Sequence, residues 1–425
     1  MRWRNRPLKF LPEIDSICAG GSTLFWTSDP FTEMDRSEHR VSVRLRRPGI
    51  DDEPICHIEW DTNTHVFTCC RRWSGEFGAY WADRPFPIVT SHQKLGRALL
   101  GRAALTWRVV QPGAVVTCNR NGFRRLPQRP PAMRFDMGYA ETVREVRRLV
   151  LESVAGCKDE AALLLSGGLD SAVIASAAHL CGKRLEAFTF RLERLIRPQT
   201  EEESDLLCAQ KVALHVKMPF TRILIGTDKI IDNLPAAVYL AETSRGTIVD
   251  DCAALVEVAR VLAALGFRRV WMGEAADDLF GGFKFALRCY RGPHLRSYYR
   301  RQLVFSLPNE LAIIQNIFSA FGISVIHPMW TAGLLRIGYN LPLSFRLDRQ
   351  RLMKRVLRDA FADDLPPEII MRMKCATRDS SQVRYALEEQ FGIHRDRYRA
   401  TFRIMMGQRS RWPRKLREQL KKCVI

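Results

Sequence analysis

The run Ser166-Gly167-Gly168-Leu169-Asp170-Ser171 has the residue types that hold phosphate. An apolar stretch, 161–165, precedes it, and a helix-like stretch, 172–180, follows it. Glycines at a strand-to-helix turn let the backbone approach an anion, and the free N–H groups of the helix start point at it. Ser166 and Ser171 add hydroxyl donors, and Asp170 is suited to holding Mg2+ against the phosphates. The run is not a Walker P-loop, which needs a Lys before the Ser or Thr. A second cluster lies downstream, in Val270-Trp271-Met272-Gly273-Glu274-Ala275-Ala276-Asp277-Asp278-Leu279-Phe280-Gly281-Gly282. Glu274, Asp277 and Asp278 crowd together there after another apolar run. Like charges repel. Such crowding makes sense where a cation neutralises it, as at a magnesium–pyrophosphate site.

Elements that would position these groups are legible around them. Strand-like runs at 163–165, 187–190, 220–225 and 270–272 alternate with helix-like runs at 172–180, 203–214 and 253–265. Alternation of this kind predicts an α/β fold, a parallel sheet with helices on both faces and ligands at the strand C-termini. Both motifs fall at such ends. A helical pattern leads in from Tyr139, and the chain beyond residue 290 reads as mainly helical. Residues 1–135 carry short β-like runs broken by Gly, Pro and Asp, with Leu126-Pro127-Gln128-Arg129-Pro130-Pro131 as a linker. Three parts are expected: a β-rich domain over 1–135, the phosphate-binding core over 136–393 and a basic tail over 394–425. No internal repeat is present.

At 425 residues and 46% hydrophobic, the chain can bury two cores. No stretch has the length and uniform apolarity of a membrane helix, and the N-terminus has no signal-peptide apolar region. The 12 cysteines form no CxxC pair and the 9 histidines no ligand cluster. Reduced, mostly buried thiols and a cytoplasmic location follow as expectations. Net charge is +20, with much of the excess in Arg. That balance attracts polyanions. It suits a docking surface for an acidic peptide or partner protein. It also suits nucleic acid, although no named nucleic-acid module is present. An ordinary solvated basic face is the favoured reading.

Together the two motifs resemble the asparagine-synthetase family, whose second signature reads Gly-Glu-Gly-x-Asp-Glu-Leu-Phe-Gly-Gly. The first looks like the pyrophosphate loop of enzymes that split ATP between its α- and β-phosphates. The resemblance spans most of the C-terminal two-thirds of the chain. It implies an adenine-nucleotide α-hydrolase-like sheet, preceded by a degenerate class II glutamine-amidotransferase-like domain. Asp170 and Asp277 match the family's metal positions, and Glu274 matches a catalytic carboxylate. Asp278 replaces the usual Glu, and Ala275 replaces a Gly, which restricts the turn. Phe188 and Thr189 lie where relatives hold adenine by backbone contacts. With Gly273 and residues 166–171 they complete the implied ATP site. Lys354-Arg355-Val356-Leu357-Arg358 looks like the family's Lys-x-x-Leu-Arg helix. Residues 365–370 followed by Arg372-Met373-Lys374 look like its "LPxEI…RxK" segment, in which Lys374 would stabilise charge during adenylation.

The implied chemistry uses ATP and Mg2+. A carboxylate is adenylated with loss of pyrophosphate, and an amine then displaces AMP to form an amide, with Glu274 the nearest candidate base. In glutamine-dependent relatives the nucleophile is a Cys directly after the initiator Met, where this chain has Arg2. Gly75-Glu76-Phe77-Gly78-Ala79-Tyr80-Trp81-Ala82-Asp83 still resembles the family's "GxFAFAxWD" hairpin, and Gln111-Pro112-Gly113 its "PPG" turn. Loss of glutamine hydrolysis is therefore expected. The amine is then free ammonia or part of a larger substrate, as in β-lactam synthetases and lasso-peptide cyclases. The former carry a Tyr in place of Glu274. The family's "RVPFLD" segment appears here as Ser324-Val325-Ile326-His327-Pro328-Met329-Trp330-Thr331, without its Arg and Asp. A pocket rebuilt with Met329 and Trp330 would suit a bulkier substrate than aspartate; alternatively, the two residues fill core. Macrolactam formation in a precursor peptide leads, with a leader-peptide-binding protein or a protease as partner. Ammonia-dependent asparagine synthesis and a non-catalytic scaffold are the alternatives.

Overall fold

A computed structural model describes eleven strand segments between residues 14 and 127, together with residues 135–201, 204–290, 292–347, 353–373 and 377–392, Val110 and Tyr398. Its centre is a five-stranded parallel sheet. The strands are β1 Ala161–Leu164, β2 Leu185–Leu192, β3 Phe220–Ile225, β4 Arg269–Trp271 and β5 Ser324–Ile326. They lie in the order β3-β2-β1-β4-β5, with Leu163 opposite Ala187 on one side and Trp271 on the other. Strand order reverses between β1 and β4. A crevice opens there, beyond the strand C-termini, because successive crossovers run to opposite sides.

Both faces of the sheet are covered, which explains the unbroken apolar run of β1. Ala161, Leu163 and Leu165 join one core with helices α1 Tyr139–Gly156, α2 Leu169–Leu180 and α3 Asp205–His215. Ala162 and Leu164 join a second core with α4 Thr227–Ala241 and α5 Gly246–Ala264. The two-residue period of a strand divides the cores. After β4 come α6 Ala276–Phe280, α7 Lys284–Cys289, α8 Gly292–Arg301, a π-turn Gln302–Ser306 and α9 Leu307–Ser319. After β5 come α10 Ala332–Asn340, α11 Leu343–Arg346, α12 Arg355–Ala360, α13 Pro367–Met371, α14 Thr377–Ser380 and α15 Val383–Phe391.

Two features depart from the sequence reading, and a third settles a choice it left open. α4 forms although Pro235 lies inside it, because its apolar face packs on α5. β5 spans only three residues and borrows its register from β4, Val325 opposite Val270. Met329 and Trp330 are fully buried in the core shared by α1, α10 and β4. They fill core and build no pocket wall. The Pro328 carbonyl beside them accepts from the Ser153 hydroxyl at 2.6 Å, which fixes the segment on α1.

The N-terminal region is β-rich, as expected, and its described strands pair antiparallel. Its largest sheet has six strands, running from Gly122–Pro127 through Ala114–Asn119, Val66–Arg71, Cys56–Asp61 and Arg40–Leu45 to Thr32–Ser37. Tyr80–Ala82 of the expected hairpin forms a strand, and the strand Ala114–Asn119 follows the Gln111-Pro112-Gly113 turn. Leu126 and Pro127, read as linker, end a strand instead. Residues 75–79, 111–113 and 128–131 lie outside the described residues, as does the tail 394–425 apart from Tyr398. The Tyr398 hydroxyl donates to Asp250 at 2.8 Å. The described cysteines are free, and most are at least partly buried. No described helix is long and apolar enough to cross a membrane.

Candidate active site

The first motif forms the turn from β1 to α2. Gly167 has φ +70, and a Cβ there would fall 2.3 Å from the Ala209 nitrogen and 2.5 Å from the Cys208 carbonyl carbon. Both are backbone atoms of α3, so only glycine lets the turn sit this tightly. The two serines brace it. The Ser171 Oγ accepts from the Ser166 N–H at 3.1 Å, and the Ser166 Oγ accepts from the Gly168 N–H at 3.3 Å. Gly168 starts α2 with no side-chain cap. The helix therefore opens on N–H groups available to an anion. Leu169, expected in the nucleotide set, turns its side chain into the core, so it can serve only through its backbone.

The second motif follows β4. Ala275 adopts φ +81, in the left-handed region, where the family has a Gly. An L-residue held there costs about 1–2 kcal/mol. The bend starts α6, whose first turn carries Asp277 and Asp278. Arg346 is buried and donates to the carbonyls of Leu279 and Gly338, with its guanidinium 4.7 Å from the centre of the Tyr299 ring. It satisfies carbonyls at the end of α6 that a five-residue helix leaves open.

Lys354 joins the two motifs. It is 3% exposed and sits just before α12 with φ +61. Its Nζ lies 2.5 and 2.6 Å from the two carboxylate oxygens of Asp170, and 2.6 Å from Asp277 Oδ1. Two carboxylates from the first turns of different helices, α2 and α6, thus converge on one cation. A Cβ at Gly282 would lie 1.6 Å from Asp277 Oδ1 and 2.5 Å from Lys354 Cε, so this glycine leaves room for the cation site. Among the described residues, no group of three or more His, Cys, Asp or Glu side chains could hold a metal.

A buried ion pair fixes the first loop from behind. Arg372 donates to Asp205 Oδ1 at 2.8 Å and to the Ser166 carbonyl at 3.4 Å, and the Ser380 hydroxyl donates to Asp205 Oδ2. Spacing along the sequence could not show that Lys354, Asp205 and Arg372 belong together. Lys354 and Arg372 stood in recognised motifs without a role, and Asp205 carried no signal.

Ser166, Asp170, Ser171, Phe188, Thr189, Gly273, Glu274 and Asp277 all line one cavity of about 630 Å3 at the crevice between β1 and β4. The structure thus brings together most of the residues predicted from sequence. Phe188 is buried and packs edge-on to Phe267 at 5.2 Å, which leaves its backbone to face a ligand. Glu274 is exposed to the cavity. Lys374 lies outside the described residues.

Much of the remaining wall comes from α5 and α9, with Asp251 and Glu310 among Ile248, Leu255, Leu307 and Leu311, and Thr377, Asp379, Ser381 and Val383 around α14 and α15 complete it. No basic residue is among the described residues that line the cavity. Glu310 is an exposed residue that faces the cavity, and the neighbouring protein desolvates its carboxyl. Burial raises its pKa, and the positive charge of Arg245 offsets this only in part. A raised carboxyl pKa means the folded state binds the proton more tightly. Stability then falls as pH rises from the unfolded value of about 4.3 through the folded one. Glu310→Gln should therefore raise the unfolding midpoint at neutral pH and leave it unchanged below about pH 4. Thermal melts of both proteins across pH would check this; an equal shift at every pH would refute it.

The profile of the asparagine synthase family matches residues 145–304 and 291–401. Glutamine-hydrolysing asparagine synthetase of Triphysaria versicolor is 25% identical over 299 residues, covering 63% of this chain and 48% of that protein. Asparagine synthetase B of Escherichia coli K12, also glutamine-hydrolysing, is 25% identical over 220 residues, covering 50% of this chain and 40% of that protein. The chain thus spans about half the length of the curated relatives it matches. Among solved structures, NMN synthetase from Francisella tularensis aligns with a TM-score of 0.32 at 15% identity, covering 68% of this chain and 94% of that one. The matched profile runs through more than half of the 425 residues and takes in both loops, Lys354 and the Asp205–Arg372 pair, and the chain belongs to the asparagine synthase family.

Proposed function

We propose that the chain is an ATP-dependent, AMP-forming carbon–nitrogen ligase that closes a macrolactam in a peptide. The observation that carries the reading is the meeting of the two loops in one cavity, with Asp170 and Asp277 turned to a single cation point. The α2 start and the two serine hydroxyls bind the departing pyrophosphate, and the Phe188–Thr189 backbone holds adenine. Asp170 and Asp277 would hold Mg2+ together with phosphate oxygens, and the ion would supply charge neutralisation for the leaving group. Two converging carboxylates without a third fit this sharing. A substrate carboxylate oxygen attacks the α-phosphorus, and the bond to pyrophosphate breaks. The amine nitrogen then attacks the acyl carbon, AMP leaves, and Glu274 takes the amine proton. Lys374 stabilises the charge that builds during adenylation.

The α5–α9 wall supports a peptide over aspartate. Its described side chains are apolar or acidic. A dicarboxylate would meet like charge there, whereas an amine on an apolar chain would not. The N-terminal sheet is a degenerate amidotransferase-like domain without glutaminase work. The protein acts in the cytoplasm with a precursor peptide and a leader-binding or protease partner. Its net +20 charge attracts acidic peptide more readily than it specifies nucleic acid.

Release of AMP and pyrophosphate from ATP tests the reading, with aspartate plus ammonia in one arm and an acidic-residue peptide in the other. Turnover with the peptide, accompanied by loss of one water in mass, is the expected result. Turnover with aspartate alone would make the chain an ammonia-dependent asparagine synthetase, as the curated relatives' names suggest. No turnover in either arm would favour a scaffold.

A further inference from the structure

Arg71 ends a strand of the N-terminal sheet, yet its side chain reaches the ligase core. It is 2% exposed. One guanidinium nitrogen donates to the Val110 carbonyl at 2.9 Å and to Asn309 Oδ1 at 3.4 Å, and the other donates to the Pro308 carbonyl at 3.2 Å. Pro308 and Asn309 lie in the first turn of α9. That turn carries Leu307, Glu310 and Leu311 into the cavity wall.

The placement is costly, so packing alone does not explain it. Taking a guanidinium out of water costs several kcal/mol unless its donors are well met. Helix N-termini also disfavour cations. An apolar side chain would avoid that cost but would leave the Val110 and Pro308 carbonyls without their donor, so the guanidinium serves by tying acceptors on both surfaces together. The segment itself shows why a clamp is useful. The π-turn Gln302–Ser306 directly precedes α9, and Pro308 has no N–H to give. The helical hydrogen-bond ladder is therefore irregular where the cavity wall begins.

We propose that Arg71 is a positioning residue through which the N-terminal sheet sets the α9 wall of the substrate cavity. In this role the N-terminal sheet shapes the substrate end without supplying ammonia. The inference rests on reading the cavity as the ligase site, but the clamp can be tested without turnover.

The test uses the full chain with Arg71→Met and Arg71→Lys. Hydrogen exchange is followed by mass spectrometry over residues 307–314 and, as control, over 161–180. In Arg71→Met, exchange over 307–314 should quicken about tenfold or more, as when one partner of a buried hydrogen-bonded group is removed. Exchange over 161–180 and the affinity for ATP, measured by calorimetry, should stay within about twofold, since those groups touch neither Pro308 nor Asn309. Arg71→Lys should fall between, because a single ammonium cannot span the set of acceptors a guanidinium reaches. With the peptide substrate, the KM for peptide should rise while that for ATP does not. Unchanged exchange over 307–314, or an equal rise over both segments, would overturn the proposal. Failure of every substrate to turn over would count against the ligase reading and leave the exchange result to decide the clamp.

Discussion

Asp277→Ala is expected to lower pyrophosphate release by at least about a thousandfold, the few kcal/mol of transition-state charge stabilisation that such a site supplies. Asp277 projects from the first turn of α6 to the point it shares with Asp170, at the Lys354 ammonium. Removing it halves the negative charge there. Lys354 keeps Asp170, so no buried ammonium is orphaned, and the folding cost should be only about 1 kcal/mol. The defect should therefore appear in chemistry and not in folding. A second readout needs no carboxylate substrate: ATP affinity measured with and without Mg2+. In the native protein Mg2+ should tighten ATP binding, and in Asp277→Ala that increment should vanish while the metal-free affinity is unchanged. An increment that survived the substitution would mean the two carboxylates serve only to pair Lys354.

The parts of the fold that were legible in sequence are those where local chemistry leaves one solution. The turn at 166–171 needs glycine against α3, hydroxyls to brace it and an uncapped helix start, and all three are written within six residues. The central strands β1, β2 and β4 were visible as apolar runs because a sheet covered on both faces has little polar side to show, and the edge strand β3 was visible by its apolar residues despite an exposed Arg222. β5 was not visible, because three residues cannot display a period and its register comes from β4. α4 was hidden by Pro235, whose cost is outweighed by packing on α5. Met329 and Trp330 illustrate a different ambiguity. Large apolar residues in place of a polar signature can line a pocket or fill a core, and only the packing on α1 decided for the core. The Lys354 contacts were illegible for a topological reason. Asp170, Asp277 and Lys354 come from the starts of three separate helices, and nothing in the order of residues shows that their side chains meet. The acidic character of the α5–α9 wall was hidden in the same way, since Asp251 and Glu310 lie in no motif and some sixty residues apart, and only the fold brings them to one cavity.

The Asp205–Arg372 pair yields the largest expected change in stability. Arg372→Met should destabilise the protein by about 3–5 kcal/mol, the cost of leaving one member of a buried pair without the other. Both side chains are under 10% exposed, so water cannot take the place of the lost partner. The Ser380 hydroxyl would still donate to Asp205, but one neutral donor does not balance a buried charge. For a fold worth about 5–15 kcal/mol this is a large fraction, and urea unfolding would measure it directly. The double variant Arg372→Met with Asp205→Leu separates stability from function. Replacing both partners by apolar groups removes the stranded charge, so most of the lost stability should return. The contact from Arg372 to the Ser166 carbonyl does not return. The 166–171 loop would then be held in front by its serines and no longer held from behind. ATP binding should stay weak in the double variant by about tenfold, the worth of one charge-assisted hydrogen bond. Equal stability of the single and double variants would show that the pair is not coupled. Full recovery of ATP binding in the double variant would show instead that Arg372 serves the fold alone, leaving the loop's geometry to Gly167 and the two serines.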